Sequence, residues 1–196
     1  GCLGQRYADE LFAELTEVDA IVGKDSFTDI GKVIDEVMAG KRLVHLEKGA
    51  PLTNQPRMLT TPNYMANLKI AEGCDNCCSY CAIPQICGPY TSRPYEEVIA
   101  EAKELAASGI KEIIVVAQDT TRYGEDLYGK LMLPQLLKDL NELDGVEWIR
   151  VMYLYPNNFN DELIEAFATL DKVCKYIDIP LQHASDTLLS SMNRYD

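Results

Sequence analysis

An α/β fold is predicted by three features of this chain. Apolar runs of strand length alternate with amphipathic stretches of helical period. The run Lys111–Ala117 is nearly continuously apolar, as in a strand covered on both faces. From residue 67 onward, strand, loop and helix repeat three times, followed by a fourth strand and part of its helix. Repeated βα units favour a parallel sheet, which an open doubly wound sheet and a barrel satisfy equally.

Taken in order, residues 5–15 place Tyr7, Leu11 and Leu15 four apart, predicting one amphipathic helix. Asp19–Gly23 reads as a short buried strand. Thr28 is a candidate cap for a second helix, with Ile30, Val33, Ile34 and Val37 facing a core and Gly40 at its end. Residues 49–66 carry Pro51, Pro56 and Pro62 among polar residues and read as a linker or as paired extended segments. The expected division is therefore 1–50 as the end of a first domain, 51–66 as linker and 67–196 as a second domain.

In the second domain the expected strands are 67–71, 111–117, 148–154 and 176–181. Pro94 suits a helix start, with Val98, Ile99, Ala102 and Leu105 on its apolar face and Gly109 ending it. Further helices are expected around 132–142, over 160–169 and from 186. In parallel α/β sheets the chemistry gathers at the carboxyl ends of the strands. A cysteine loop at 74–81, Gln118–Asp119, Tyr155–Pro156 and Gln182–His183 each follow a strand directly, which puts four polar motifs on one rim.

The apolar share of 47% and charged share of 25% are those of an ordinary globular protein. No apolar run approaches the roughly 20 residues that span a bilayer, and the first residues lack the pattern of a signal peptide, so a cytoplasmic location is expected. The net charge of −13 argues against phosphate-backbone binding by this segment and fits a basic partner better. The chain opens without an initiator Met and closes on a helical pattern, as expected of an internal piece of a longer polypeptide.

Four of the seven cysteines fall within eight residues, at 74, 77, 78 and 81. Such clustering reads as metal ligation rather than a disulfide framework. Cys74, Cys78 and Cys81 suit an iron–sulfur cubane that takes three thiolates and leaves its fourth iron open; electron carriers usually supply four. Tyr80 adds an aromatic face between the last two ligands. A zinc site would need a fourth ligand from Cys77, Cys87 or His183. Cys77 adjoins Cys78 and is left out of the ligand set, Cys87 is ambiguous, and Cys174 reads as a core residue. Asp119 either caps the segment after its strand or reaches a bound cofactor. Arg150 is a buried ion pair or a substrate contact, and Tyr153 and Tyr155 read as packing residues.

The CxxxCxxC spacing with Tyr80 resembles the cluster motif of radical S-adenosylmethionine (SAM) enzymes. Ala71–Asn76, Ser79–Pro84, Ala117–Thr121, Trp148–Arg150, Tyr153–Pro156 and Asp178–His183 together resemble the methylthiotransferase branch of that family, over nearly the whole chain. Ala-Gln-Asp-Thr-Thr at 117–121 and Pro-Leu-Gln-His at 180–183 look like the members that act on a ribosomal protein, rather than on tRNA. The resemblance implies an α/β methylthiotransferase domain followed by the first half of a radical SAM partial (β/α) barrel. It implies a [4Fe–4S] cluster on Cys74, Cys78 and Cys81, and SAM held near Tyr80, Gln118, Asp119 and Gln182. It also implies an auxiliary [4Fe–4S] cluster for which Cys2 matches the third ligand, the other two lying upstream. The implied reaction adds a methylthio group to the β-carbon of an aspartate in small-subunit ribosomal protein S-twelve through a 5′-deoxyadenosyl radical. Flavodoxin or ferredoxin would be the reductant, and tRNA adenosine the alternative substrate. With one auxiliary ligand, this chain alone is not expected to complete that reaction. One departure stands out: the family usually reads Arg-Gly where this chain has Cys87–Gly88.

Overall fold

A computed structural model describes residues 1–47, 58–60 and 62–194. It divides into two compact units, residues 1–55 with 85–87, and residues 56–84 with 88–196. Of the expected 51–66 linker, residues 51–57 and 61 lie outside the described residues.

In the first unit, α1 (Cys2–Arg6) and α2 (Ala8–Glu14) precede β1 (Ala20–Val22), α3 (Ile30–Met38) and β2 (Leu43–His45). The single helix expected over 5–15 is instead two short ones. Tyr7, at φ −126° and ψ 35°, leaves the helical region and breaks them apart. Thr28 does not cap α3: it sits inside a 3₁₀ turn, Phe27–Asp29, and Asp29 occupies the cap position. Strands β1 and β2 pair in parallel, Ala20 opposite Leu43 and Val22 opposite His45. The β2 strand has no counterpart in the sequence reading, because three residues are too few to show alternation. Gly40 does end the helical segment, at φ +84°.

In the second unit, β3 (Met65–Lys69), β4 (Ala71–Glu72), α4 (Ile83–Cys87), β5 (Thr91–Ser92), α5 (Tyr95–Ala107) and β6 (Glu112–Val116) come first; α4 straddles the division. Then follow α6 (Glu125–Tyr128), α7 (Leu133–Asn141), β7 (Trp148–Val151), α8 (Asp161–Thr169) and α9 (Asp186–Ser191). The sheet runs β3-β6-β7, all parallel, with Leu68 opposite Val115 and Ile113 opposite Ile149. Helices α5, α7 and α8 pack side by side, α5 against β3 and α7 against β7. The four leucines of α7, Leu133, Leu136, Leu137 and Leu140, are fully buried among Val98, Ala102, Ile113 and Ile149. Their spacing of three and four residues puts them on one helix face, and each such side chain contributes about 1.5–3 kcal/mol when fully buried.

Only half of β6 is sealed. Ile113 and Val115 are buried, while Ile114 and Val116 are half-buried, so the apolar run is covered fully on one face. The fourth strand expected at 176–181 does not form. One parallel bridge joins Val173 to Ile149. Beyond it, Tyr153 turns into the left-handed region at φ +59°, which ends the extended run of β7. The Tyr153 N–H then goes to the Asp178 carboxylate at 2.9 Å rather than to a ladder carbonyl.

Candidate metal centre

The cysteine loop leaves the sheet through β4 and returns through β5. Those two strands pair antiparallel, Ala71 with Ser92 and Glu72 with Thr91, so the loop 73–90 is pinched at its base. Gly73 makes the pinch possible. It sits at φ +78°, and a Cβ there would lie 2.1 Å from the Pro89 carbonyl oxygen, where no side chain fits. Just inside, Cys74 N–H reaches Gly88 O at 3.3 Å, and Tyr90 N–H donates to Asp75 Oδ1 at 3.0 Å.

Within the loop, Cys74, Cys78 and Cys81 are free, half-buried thiols. Cys81 N–H closes a turn on Cys78 O at 2.9 Å, and Ile83 N–H donates to Cys81 Sγ at 3.4 Å. Burial pushes the Cys74 thiol up, opposed by a backbone N–H from Asn76 and reinforced by Asp119, Cys78 and Cys81. Cys74 and Cys81 are each half-buried and each accept an N–H from two residues ahead. Tyr80 is half-exposed, its phenol held above the ordinary range by partial burial and by the Cys78 thiol, against the pull of Arg194. Cys77, excluded from the set by adjacency, is exposed and left-handed at φ +49°.

Asp119 joins the loop to the end of β6. Its carboxylate, 1% exposed, accepts from Thr121 N at 3.1 Å, Thr121 Oγ1 at 2.5 Å and Asn76 Nδ2 at 3.1 Å. It therefore both caps the 3₁₀ turn Thr120–Arg122 and tethers the loop. Tyr90 OH adds a second tie, donating to Asp119 O at 2.9 Å; burial, then the Asp119 charge, keeps that phenol protonated. Gln118 Oε1 is buried with no donor among the described residues. A buried acceptor left unsatisfied is costly, so this atom is suited to an N–H of a bound group. Beside the loop a polar pocket of ≈ 230 Å³ is lined by Asn76, Arg122, Glu125, Tyr155, Asn157 and Asn158. Arg122 there pairs with Glu125 at 2.9 Å and Asp75 at 3.5 Å.

Gln182 is not drawn into this network. It is exposed at φ +63° and makes no side-chain hydrogen bond among the described residues. His183 is also exposed, its Nδ1 accepting from Ser185 N at 2.8 Å. Cys2 lies in the first unit, exposed at the start of α1. Arg150 is the ion pair of the two readings, 2.7 Å from Glu112. Cys174 is half-exposed rather than a core residue. Tyr155 is buried as expected, but Tyr153 is 52% exposed on the rim rather than packed. Sequence reading alone does not single out Asn76, Tyr90, Arg122, Asn193 or Arg194, whose contacts with the loop and with Asp119 bridge residues distant in the chain.

Among the described residues, no group of three or more His, Cys, Asp or Glu side chains is arranged to hold a metal ion. A mononuclear zinc site needs every sulfur about 2.3 Å from one ion. A cubane takes each thiolate on a different iron, and the donor set here is three half-buried thiols, two of which accept a backbone N–H.

A model of the radical SAM superfamily matches residues 68–196. The chain belongs to the radical SAM superfamily. Its cofactors are accordingly SAM and a [4Fe–4S] cluster. Curated relatives include the ribosomal protein uS12 methylthiotransferases of Caldanaerobacter subterraneus subsp. tengcongensis, 54% identical over 98% of this chain, and of Clostridioides difficile, 50% identical over 99%. The chain spans 45% and 44% of the length of those two proteins. The fold is shared with the radical SAM methyltransferase TsrM of Kitasatospora setae, solved with cobalamin and a [4Fe–4S] cluster bound. That match has a TM-score of 0.58 at 19% identity, covering 75% of this chain and 30% of that one. The second unit is thus a radical SAM partial barrel, of which three strands form here.

Proposed function

We propose that this chain is the SAM-cleaving segment of a methylthiotransferase that modifies an aspartate β-carbon of ribosomal protein uS12. The observation that carries the reading is the cysteine loop. Three thiols stand on one pinched loop beside the carboxyl ends of β3 and β6, and an unpaired acceptor lies at the end of β6. Identity near 50% to proteins named for that activity supports the choice of substrate.

In this reading Cys74, Cys78 and Cys81 hold the [4Fe–4S] cluster, and Cys2 belongs to an auxiliary cluster of the first domain. The domains proposed are 1–50, a linker at 51–66 whose last two residues already open β3, and the radical SAM core at 67–196. The cluster and SAM supply a radical able to remove hydrogen from an aliphatic carbon, which side-chain acid–base chemistry cannot do. The chain's own residues bind and orient. Gln118 Oε1 accepts an N–H of SAM, Tyr80 offers its ring face and Gln182 its side chain. Buried Asp119 keeps the loop in register through Asn76. The polar pocket beside Asn157 and Asn158 takes a small hydrogen-bonding group. A cytoplasmic site of action, with flavodoxin or ferredoxin as reductant, completes the proposal; among the described residues no helix is long and apolar enough to cross a membrane.

Anaerobic reconstitution with iron and sulfide, then metal analysis and EPR with and without SAM, tests it. The reduced chain is expected to show a cluster spectrum that changes on adding SAM. Cys74→Ala, Cys78→Ala and Cys81→Ala each lower bound iron at least about tenfold, and Cys77→Ala leaves it unchanged. Zinc without iron, or a spectrum indifferent to SAM, overturns the reading. In the full-length protein, methylthiolation of tRNA with none on uS12 would transfer the activity to the other branch.

A further inference from the structure

The helix α9 ends in a turn whose three residues all reach the cysteine loop. Met192 O accepts from Ser79 N–H at 2.8 Å, and Asn193 Nδ2 donates to Cys77 O at 3.0 Å. Arg194, 4% exposed, stands over the Tyr155 ring at 4.3 Å, donates to Pro180 O and also reaches the Tyr80 phenol. The two held peptide groups flank one residue: the Cys77 carbonyl precedes Cys78 and the Ser79 N–H follows it. Tyr80, pressed by Arg194, contacts the Cys78 thiol itself. The backbone entering and leaving Cys78 is therefore fixed by residues about a hundred positions later in the chain. Both ends of the Asn193–Cys77 bond are in the left-handed region, at φ +52° and +49°; asparagine adopts it readily past a helix end, whereas for Cys77 it is uncommon.

We propose that the Met192–Arg194 turn is a clamp that sets the direction of the Cys78 thiol, with Asn193 and Arg194 as positioning residues for the cluster. Cys74 and Cys81 each accept a backbone N–H from two residues ahead, whereas the Cys78 thiol meets the side chain of Tyr80, which Arg194 also reaches. Cys78 takes its orientation from α9. Cluster retention thus depends on whether α9 is docked, which couples the last helix of this segment to the metal centre. The proposal rests on Cys78 being a cluster ligand, as above.

Three substitutions in the reconstituted chain test it. Asn193→Gly keeps the left-handed backbone but removes the donor; Asn193→Asp keeps the shape and turns an acceptor towards the Cys77 carbonyl. Arg194→Lys keeps a cation but loses the planar fork. Without cluster, Asn193→Gly is expected to melt within about 2 °C of the parent, since glycine suits this backbone. With cluster, both Asn193 variants should lose iron to a chelator about tenfold faster, as when a partner orienting a metal ligand is removed. The reduced-cluster EPR of both should broaden as Cys78 samples several orientations. Arg194→Lys is expected to show a smaller change of the same kind. Iron release at the parent rate from Asn193→Gly and Asn193→Asp overturns the clamp while leaving the cluster assignment intact. A parent chain that assembles no cluster overturns both.

Discussion

The two units carry their cysteines on very different supports. Behind the loop at 74–81 stands a sheet of three parallel strands under α5, α7 and α8, with Leu68, Ile113, Val115, Leu136, Leu137 and Ile149 all fully buried. In the first unit, the buried apolar side chains among the described residues are Ala8, Ile21 and Val33. There α3 leaves Ile30, Ile34 and Met38 exposed, and much of the order comes from Arg42, whose guanidinium caps α2 by donating to the carbonyls of Phe12, Leu15 and Val18. A close-packed core holds backbone geometry to fractions of an ångström, and a metal loop needs that. In the first unit a two-stranded sheet and three short helices stand behind Cys2 with far less buried apolar surface.

The comparison can be broken by core truncation, where the largest difference is expected. Leu137→Ala in α7 should cost about 2–5 kcal/mol, the usual cost of a buried leucine. Ile34→Ala, at a side chain 53% exposed in α3, should cost under about 1 kcal/mol. Denaturant midpoints of the two variants decide this, and equal losses would mean that the first unit hides a core of its own.

Glycine substitution sharpens the contrast by reversing sign. Gly73→Ala drives a Cβ to 2.1 Å from Pro89 O at φ +78° and should destabilise by about 3 kcal/mol, with loss of iron binding. Gly31→Ala in α3 meets nothing within 4 Å and should stabilise by about 0.5 kcal/mol through helix propensity. Thermal melts of both variants, with iron analysis of the first, read the result.

The smallest effect, absent at neutral pH, is alkaline. Tyr90, Tyr95 and Tyr123 all belong to the second unit, and burial first of all holds each phenol above its ordinary range. A neutral acid with a raised folded pKa keeps its proton in the fold and releases it on unfolding. Stability is therefore full below about pH 10 and falls as pH rises through and beyond it. Denaturation midpoints followed by circular dichroism at pH 8 and above pH 10 should drop. Tyr90→Phe, which removes one such phenol, should flatten the fall; an unchanged slope would sink this account.

Much of this was legible in residues close together in the chain. The βα repeat, the start of α5 after Pro94 and the leucine face of α7 are all patterns of short period, carried by backbone geometry that repeats every two or 3.6 residues. Where local signals were weak or contested, the reading failed. Tyr7 split a helix that spacing alone made continuous, and three-residue β2 was too short to see. The segment 176–181 has strand composition but forms no strand: Leu154 N–H reaches Asp178 O at 2.9 Å, while the left-handed Tyr153 gives its N–H to the Asp178 side chain instead.

The sequence by itself determined that three thiols share one loop, because Cys74, Cys78 and Cys81 lie within eight residues. Only the tertiary structure decided how those thiols are aimed. Asp119 reaches the loop across 43 residues and Asn193 across 116, and β4 and β5 pinch it around a glycine that admits no Cβ. Contacts at such separations leave no periodic trace in a single sequence. They form only once the sheet and its helices have brought the distant segments together, and the closure entropy of those long loops has been offset by the core.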